Sequence, residues 1–229
     1  MNTQSIHTNG VDGIWLQSDA KDLTTPQPLL ILLHGYGADM HDLAGLAPYL
    51  SHTPNIVCFQ GTHATPFGGR QWFDIQYQPD GNLRFDENQA LQSGHRMTDT
   101  ISQFLSVHAG EFSKVILGGF SQGAGVTMLV TLPQPKQLDG FMLLSGKQPA
   151  HIEKLIDDEE ALSHLSLFIG HGTLDPVLPI QNGRDLHEFW KKQPVSLTYH
   201  EYPMGHEICN AELNDMNVWL NDVVGGESR

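Results

Sequence analysis

Val115-Ile116-Leu117-Gly118-Gly119-Phe120-Ser121-Gln122-Gly123-Ala124-Gly125 is the stretch on which the reading of this chain turns. Its apolar start suits a central strand buried on both faces. Gly119 to Gly123 then spells G-x-S-x-G, and Gln122 to Leu132 is apolar nearly all round, as a helix buried against a sheet must be. A serine on a tight strand-to-helix turn lifts its hydroxyl above the sheet only if the residues two before and two after it lack side chains. The helix start aims its N–H groups and the positive end of its dipole at the same spot, where an oxyanion would form. With 23 glycines in 229 residues, chance alone expects roughly 0.13 such patterns in a chain of this composition. The bare motif is therefore weak against an idle serine in a Gly-rich turn, and its setting between strand and helix carries the weight.

Outward from this stretch, apolar strands and helices alternate. Residues 11–17 read as an edge strand or hairpin arm, and Thr24 to Pro28 as a Pro-rich turn. Leu29 to Leu33 reads as a buried strand emptying into His34-Gly35-Tyr36-Gly37-Ala38-Asp39. Asp39 can cap a short helix that Pro48 ends early. Ile56 to Phe59 is a strand, and Gly61 to Asp86 a long connection of the kind that is more often functional than idle. Glu87 to His108 has helical apolar spacing. Strands follow at Gly140–Ser145, Leu165–Gly170 and Val195–Tyr202, and helices at His151–Ser163, Pro179–Lys192 and Glu207–Val224. Asp157 to Glu160 should form a solvated face. The alternation predicts a mainly parallel sheet covered by helices on both faces, in one α/β domain over residues 1–229. Chemistry in such sheets sits at the carboxyl ends of the strands.

The formal charge of −14 argues against nucleic acid or an anionic membrane surface as a partner. The Lys and Arg residues are scattered, and only Lys191-Lys192 are adjacent. No run approaches a membrane span, and the polar start of the chain lacks the pattern of a signal peptide. Two cysteines are too few for a disulfide framework, so a cytoplasmic location is the default.

A serine nucleophile needs a base, and the base an orienting carboxylate. Two later strand ends offer them. Asp175 lies in His171-Gly172-Thr173-Leu174-Asp175-Pro176, directly after a strand, and an ordinary turn aspartate is the alternative. His206 follows the last strand in Tyr202-Pro203-Met204-Gly205-His206. It stands out among the chain's 13 histidines by that position. His34 and His171 begin post-strand loops and are read as shaping those turns by hydrogen bonds. Backbone N–H groups of Gln122 and of Tyr36 are the expected oxyanion donors. Phe67, Trp72, Phe73 and Tyr77 are candidates for the wall of an apolar acyl site, and Arg70 for contact with a polar leaving group; loop packing and a surface role are the alternatives.

Taken together, these blocks resemble the phospholipase/carboxylesterase group of α/β-hydrolases, which includes bacterial carboxylesterases and acyl-protein thioesterases. L-L-H-G-Y-G-A-D (Leu32–Asp39), Q-W-F-D-I (Gln71–Ile75), L-G-G-F-S-Q-G-A (Leu117–Ala124), H-G-T-L-D-P-V-L-P (His171–Pro179) and Y-P-M-G-H-E-I (Tyr202–Ile208) carry the resemblance. It implies an α/β-hydrolase fold without a large separate cap domain. It also implies a catalytic Ser121, Asp175 and His206 with oxyanion donors at Tyr36 and Gln122, and hydrolysis of carboxylic esters, thioesters or lysophospholipids through an acyl-enzyme. Two departures stand out. Tyr36 occupies a position usually held by leucine, and Q-G-T-H-A-T-P-F-G-G-R replaces a proline-rich block that borders the acyl pocket in relatives. Substrate preference therefore does not carry over. No metal and no organic cofactor is required. The expected partners are a small-molecule ester or acyl substrate and, in one reading, a second copy of the chain in a homodimer. Rival readings are a dienelactone-hydrolase-like or peptidase activity on the same fold, and a non-catalytic ligand-binding homologue.

Overall fold

The computed structural model describes residues 2–17, 25–50, 55–77 and 83–225. Eight strands form the central sheet: β1 (Asn2–Thr8), β2 (Val11–Gln17), β3 (Gln27–Leu33), β4 (Asn55–Phe59), β5 (Phe112–Phe120), β6 (Gly140–Leu144), β7 (Ser166–Gly172) and β8 (Ser196–Tyr202). Their order is β1-β2-β4-β3-β5-β6-β7-β8. β2 alone runs against the direction shared by the other seven strands, pairing antiparallel with both β1 and β4. The four α-helices are α1 (Glu87–Val107), α2 (Gln122–Thr131), α3 (Gln181–Trp190) and α4 (Asn210–Gly225).

Period-two alternation decides which face each strand residue serves. In β3, Leu29, Ile31 and Leu33 join Met97, Ile101 and Phe104 of α1, Met128 of α2 and Trp190 of α3 on one face. Leu30 and Leu32 pack on the other face with Met216 and Leu220 of α4 and with Leu43 of a 3-10 turn, Leu43–Tyr49. Both faces are dry, so β3 reads as an unbroken apolar run. Every residue of α2 is buried, which explains its lack of a polar side. At the start of α1, the Asp86 carboxylate accepts from the Gln89 N–H (3.0 Å) and caps the helix.

Some elements differ from the sequence expectation. The sequence does not announce β1: apart from the half-buried Ile6 and Thr8 its side chains are exposed, and it is held by backbone pairing to β2, which leaves little pattern to read. Residues 151–163 hold two 3-10 turns, Ile152–Leu155 and Glu160–Leu162, in place of a helix. Four consecutive carboxylates there, Asp157 to Glu160, are exposed as expected, and their mutual repulsion opposes a continuous helix. The helix expected after Asp39 is the 3-10 turn, with Pro48 inside it. The long 61–86 connection folds into two hairpins, His63–Ala64 with Arg70–Gln71 and Ile75–Tyr77 with Leu83–Phe85. Its middle, 78–82, and the Thr24 start of the Pro-rich turn lie outside the described residues, as does the Tyr77 side chain.

The carboxyl ends of β3, β5, β7 and β8 lead directly to the loops that bear Tyr36, Ser121, Asp175 and His206. All four residues thus gather at one edge of the sheet.

Candidate active site

Ser121 sits at the apex between β5 and α2 with φ 54° and ψ −113°. A side chain other than glycine's holds such a backbone only at a cost of about 1–3 kcal/mol, and only where its surroundings enforce it. The enforcement is visible. The Ser121 N–H donates to the Leu144 carbonyl at 2.8 Å, anchoring the turn to β6. A Cβ on Gly119 would overlap the Gly123 carbonyl, and one on Gly123 would overlap the Leu33 carbonyl. The two glycines flanking the serine are thus required by close backbone approach.

Three side chains from three loops meet here. Ser121 Oγ lies 2.9 Å from His206 Nε2, and His206 Nδ1 lies 2.7 Å from Asp175 Oδ2. Asp175 is buried, and its Oδ1 accepts from the N–H groups of Val177 and Leu178, both at 2.8 Å. Those bonds fix the orientation of the carboxylate. With Nδ1–H donating to that carboxylate, Nε2 is free to accept the Ser121 proton.

His171 is wholly buried in the same cluster. Its Nε2 lies 2.8 Å from the Leu178 carbonyl, to which it donates, and 3.6 Å from Asp175 Oδ2. Burial holds the His171 imidazole below its ordinary pKa, which favours the neutral ring. His34 is likewise depressed by burial. Its Nδ1–H donates to the Gly35 carbonyl (2.7 Å) and its Nε2 accepts from the Gly61 N–H (2.9 Å). Both histidines therefore shape their turns by hydrogen bonds, as the sequence reading has them.

Two backbone N–H groups, on different loops that reach the cavity, are left without a backbone acceptor among the described residues. As first residue of α2, Gln122 has no acceptor for its N–H inside the helix. In the loop after β3, Gly37 N–H donates to Arg70 O (2.8 Å) and Ala38 N–H to Gly35 O (3.4 Å), while the Tyr36 N–H has no acceptor among the described residues. Tyr36, Ser121, Gln122 and His206 all line one cavity of about 680 Å³.

A family model described as phospholipase/carboxylesterase matches residues 20–224. The chain belongs to the phospholipase/carboxylesterase family. Membership makes it a hydrolase acting on ester bonds. It is 27% identical to acyl-protein thioesterase 1 of Mycosarcoma maydis over 221 residues, covering 87% of this chain and 92% of the relative. It is 28% identical to carboxylesterase SOBER1 of Arabidopsis thaliana, covering 69% and 70%. Among solved structures, a carboxylesterase from Mesorhizobium loti superposes with a TM-score of 0.77 at 19% identity, covering 96% and 99%. That likeness speaks for the α/β-hydrolase fold.

Within this family member, the walls of the cavity differ from the sequence expectation. Of the expected Phe67, Arg70, Trp72 and Phe73, only Phe73 lines it, and the Tyr77 side chain lies outside the described residues. Phe67 is 96% exposed at the tip of a hairpin and is not part of the wall. Arg70 pairs with Ala64 in that hairpin, and its backbone bonds to Gly37 and Ala38, so it braces the Tyr36 loop. Trp72 is buried beneath the site, donating from Nε1 to the His34 carbonyl (2.8 Å). The sequence reading also missed the Gln122 side chain. Its Oε1 accepts from the Trp72 N–H (2.8 Å) and its Nε2 donates to the Phe73 carbonyl (2.7 Å), so it staples the Gln71–Ile75 block to the Ser121 turn. The pairing of Q-W-F-D-I with F-S-Q-G was the one available signal. Among the described residues, no group of three or more His, Cys, Asp and Glu is arranged to hold a metal ion, and no helix is long and apolar enough to cross a membrane.

Proposed function

We propose that this hydrolase cleaves carboxylic esters, and thioesters of the same acyl groups, through a covalent acyl-enzyme on Ser121. The observation that carries the reading is the unbroken chain of contacts from Ser121 Oγ through His206 to a buried Asp175. Ser121 Oγ attacks the carbonyl carbon while His206 Nε2 removes its proton. Asp175 holds the Nδ1–H tautomer and stabilises the imidazolium that forms. The N–H groups of Tyr36 and Gln122 receive the oxyanion. His206 then returns the proton to the leaving oxygen or sulfur, the tetrahedral intermediate collapses, and water repeats the sequence to release the acid. The relatives named acyl-protein thioesterase 1 support including thioesters, and the Phe73 and Phe85 rings beside the serine suit an apolar acyl chain.

The test is a panel of p-nitrophenyl esters, acyl thioesters, lysophospholipids and peptide amides offered to the wild type and to Ser121→Ala. Esters and thioesters should be hydrolysed and amides left intact, with a loss of about three or more powers of ten in the variant. A variant that keeps most of its rate, or a clear preference for amides, would reject the proposal.

A further inference from the structure

Three of the chain's 12 Lys and Arg residues, Arg84, Lys147 and Lys154, line the cavity beside Ser121. Of its 26 Asp and Glu residues, Glu87 alone does so among the described residues. The described residues of the cavity wall therefore carry a formal charge of +2 in a chain whose formal charge is −14. A wall drawn at random from this composition would be acidic. The ion pairs made by Lys and Arg among the described residues lie elsewhere, at Lys114–Asp139, Arg184–Glu201 and Lys191–Glu188. Arg84, Lys147 and Lys154 have no carboxylate partner among the described residues.

Their placement relative to the serine follows from a line of contacts. The Gln122 side chain holds the Phe73 carbonyl. The Phe73 ring meets Phe85 edge-on with centroids 5.8 Å apart, and Lys147 Nζ sits 5.1 Å from the centre of the Phe85 ring. The lysine thus lies two aromatic rings beyond the residue that follows the nucleophile. Arg84 comes from the same hairpin as Phe85, and Lys154 from the 3-10 turn Ile152–Leu155. Apolar Phe73, Ala90, Leu129 and Leu155 share the wall. The cavity is therefore apolar with unpaired cations, and low-dielectric walls focus the field of such charges.

We propose that this wall binds an anionic group, a carboxylate or phosphate, that the substrate carries at a distance from its reacting carbonyl. The inference rests on the hydrolase reading above and names its substrate class. The anion has two sources: a free carboxylate on the acyl chain, as in a half-ester of a dicarboxylic acid, or a phosphate on the leaving alcohol or thiol. In either case the field works against the repulsion of the acidic chain as a whole.

Binding to the Ser121→Ala protein, measured by calorimetry at low salt, tests this without turnover. One pair of ligands is p-nitrophenyl hemiglutarate against p-nitrophenyl butanoate, with the charge on the acyl side. The other is S-butanoyl 4′-phosphopantetheine against S-butanoyl pantetheine, with the charge on the leaving group. In one pair the charged member should bind about tenfold or more tightly, and that pair identifies the source. The preference should collapse in the R84Q/K147Q/K154Q background and in about 0.5 M salt. The R84Q/K154Q background changes two exposed side chains and should give a partial fall, which covers misfolding caused by K147Q. Equal binding within both pairs, or a preference that the triple variant retains, overturns the inference. Failure of the wild type to hydrolyse any ester would instead overturn the hydrolase reading, because this binding readout does not depend on turnover.

Discussion

Removing the Gln122 side chain by Gln122→Ala should loosen the loop that closes the site, while sparing the Gln122 backbone N–H. The side chain satisfies two buried backbone groups, the Trp72 N–H at 2.8 Å and the Phe73 carbonyl at 2.7 Å. Trp72 is 1% exposed and Phe73 5%, so water does not readily replace the amide. Each buried group left unpaired costs about 1–3 kcal/mol, which puts the variant about 2–6 kcal/mol below wild type. For a chain of this size that is a fall in Tm of about 5–20 °C. Thermal melts followed by Trp fluorescence and by far-UV circular dichroism read the loss. Gln122→Glu separates the two bonds. One carboxylate oxygen still accepts from Trp72, but the other faces the Phe73 carbonyl, acceptor against acceptor. That variant should be at least as unstable as Gln122→Ala near neutral pH and should recover on acidification, when the carboxyl gains a proton to donate. Melting of Gln122→Ala within about 1 °C of wild type would refute the stapling argument.

Three further outcomes follow from the same structure. Glu212 is wholly buried on α4 without a hydrogen-bond partner among the described residues, and burial pushes its carboxyl up from 4.5 to about 8. The folded state thus holds a proton that the unfolded chain releases, so this group's contribution to stability falls as pH rises from about 4.5 to 8. At about 1.4 kcal/mol per pH unit, the stability of Glu212→Gln relative to wild type should climb by about 5 kcal/mol across that window and level off above it; a pH-independent difference in urea titrations would contradict this. Gly123→Ala drives a methyl group into the Leu33 carbonyl and should yield little folded protein or an enzyme with a displaced serine, checked by soluble yield and ester turnover. Asp175→Asn removes the acceptor that fixes the His206 tautomer and should lower kcat by about three to four powers of ten with the fold intact; near-normal turnover would remove Asp175 from the mechanism.

Legibility from sequence followed burial. Strands dry on both faces, such as β3 and β5, announced themselves as apolar runs, and the apolar spacing of α1 marked its buried stripe. β1 did not, because backbone bonds to β2 hold an otherwise exposed strand. Near the serine, residues adjacent to strand ends were found because the parallel sheet delivers every such end to one edge. The walls of the cavity were harder to foresee. Phe67, Arg70, Trp72 and Phe73 are near neighbours in sequence, yet one points to solvent, one braces a neighbouring loop, one is buried beneath the site and one lines it. Hairpin register inside the long connection sorts them, and composition carries no record of register. The cationic wall was hidden for a related reason: Arg84, Lys147 and Lys154 lie on three separate segments that only the fold brings together.

The most direct test of the central claim is stoichiometric labelling with a fluorophosphonate, mapped by peptide mass spectrometry while residual ester hydrolysis is followed on the same sample. One adduct on Ser121, with activity falling in proportion to its occupancy, is the predicted result. Full turnover by labelled protein, or an adduct on another residue that alone tracks the loss of activity, would contradict it.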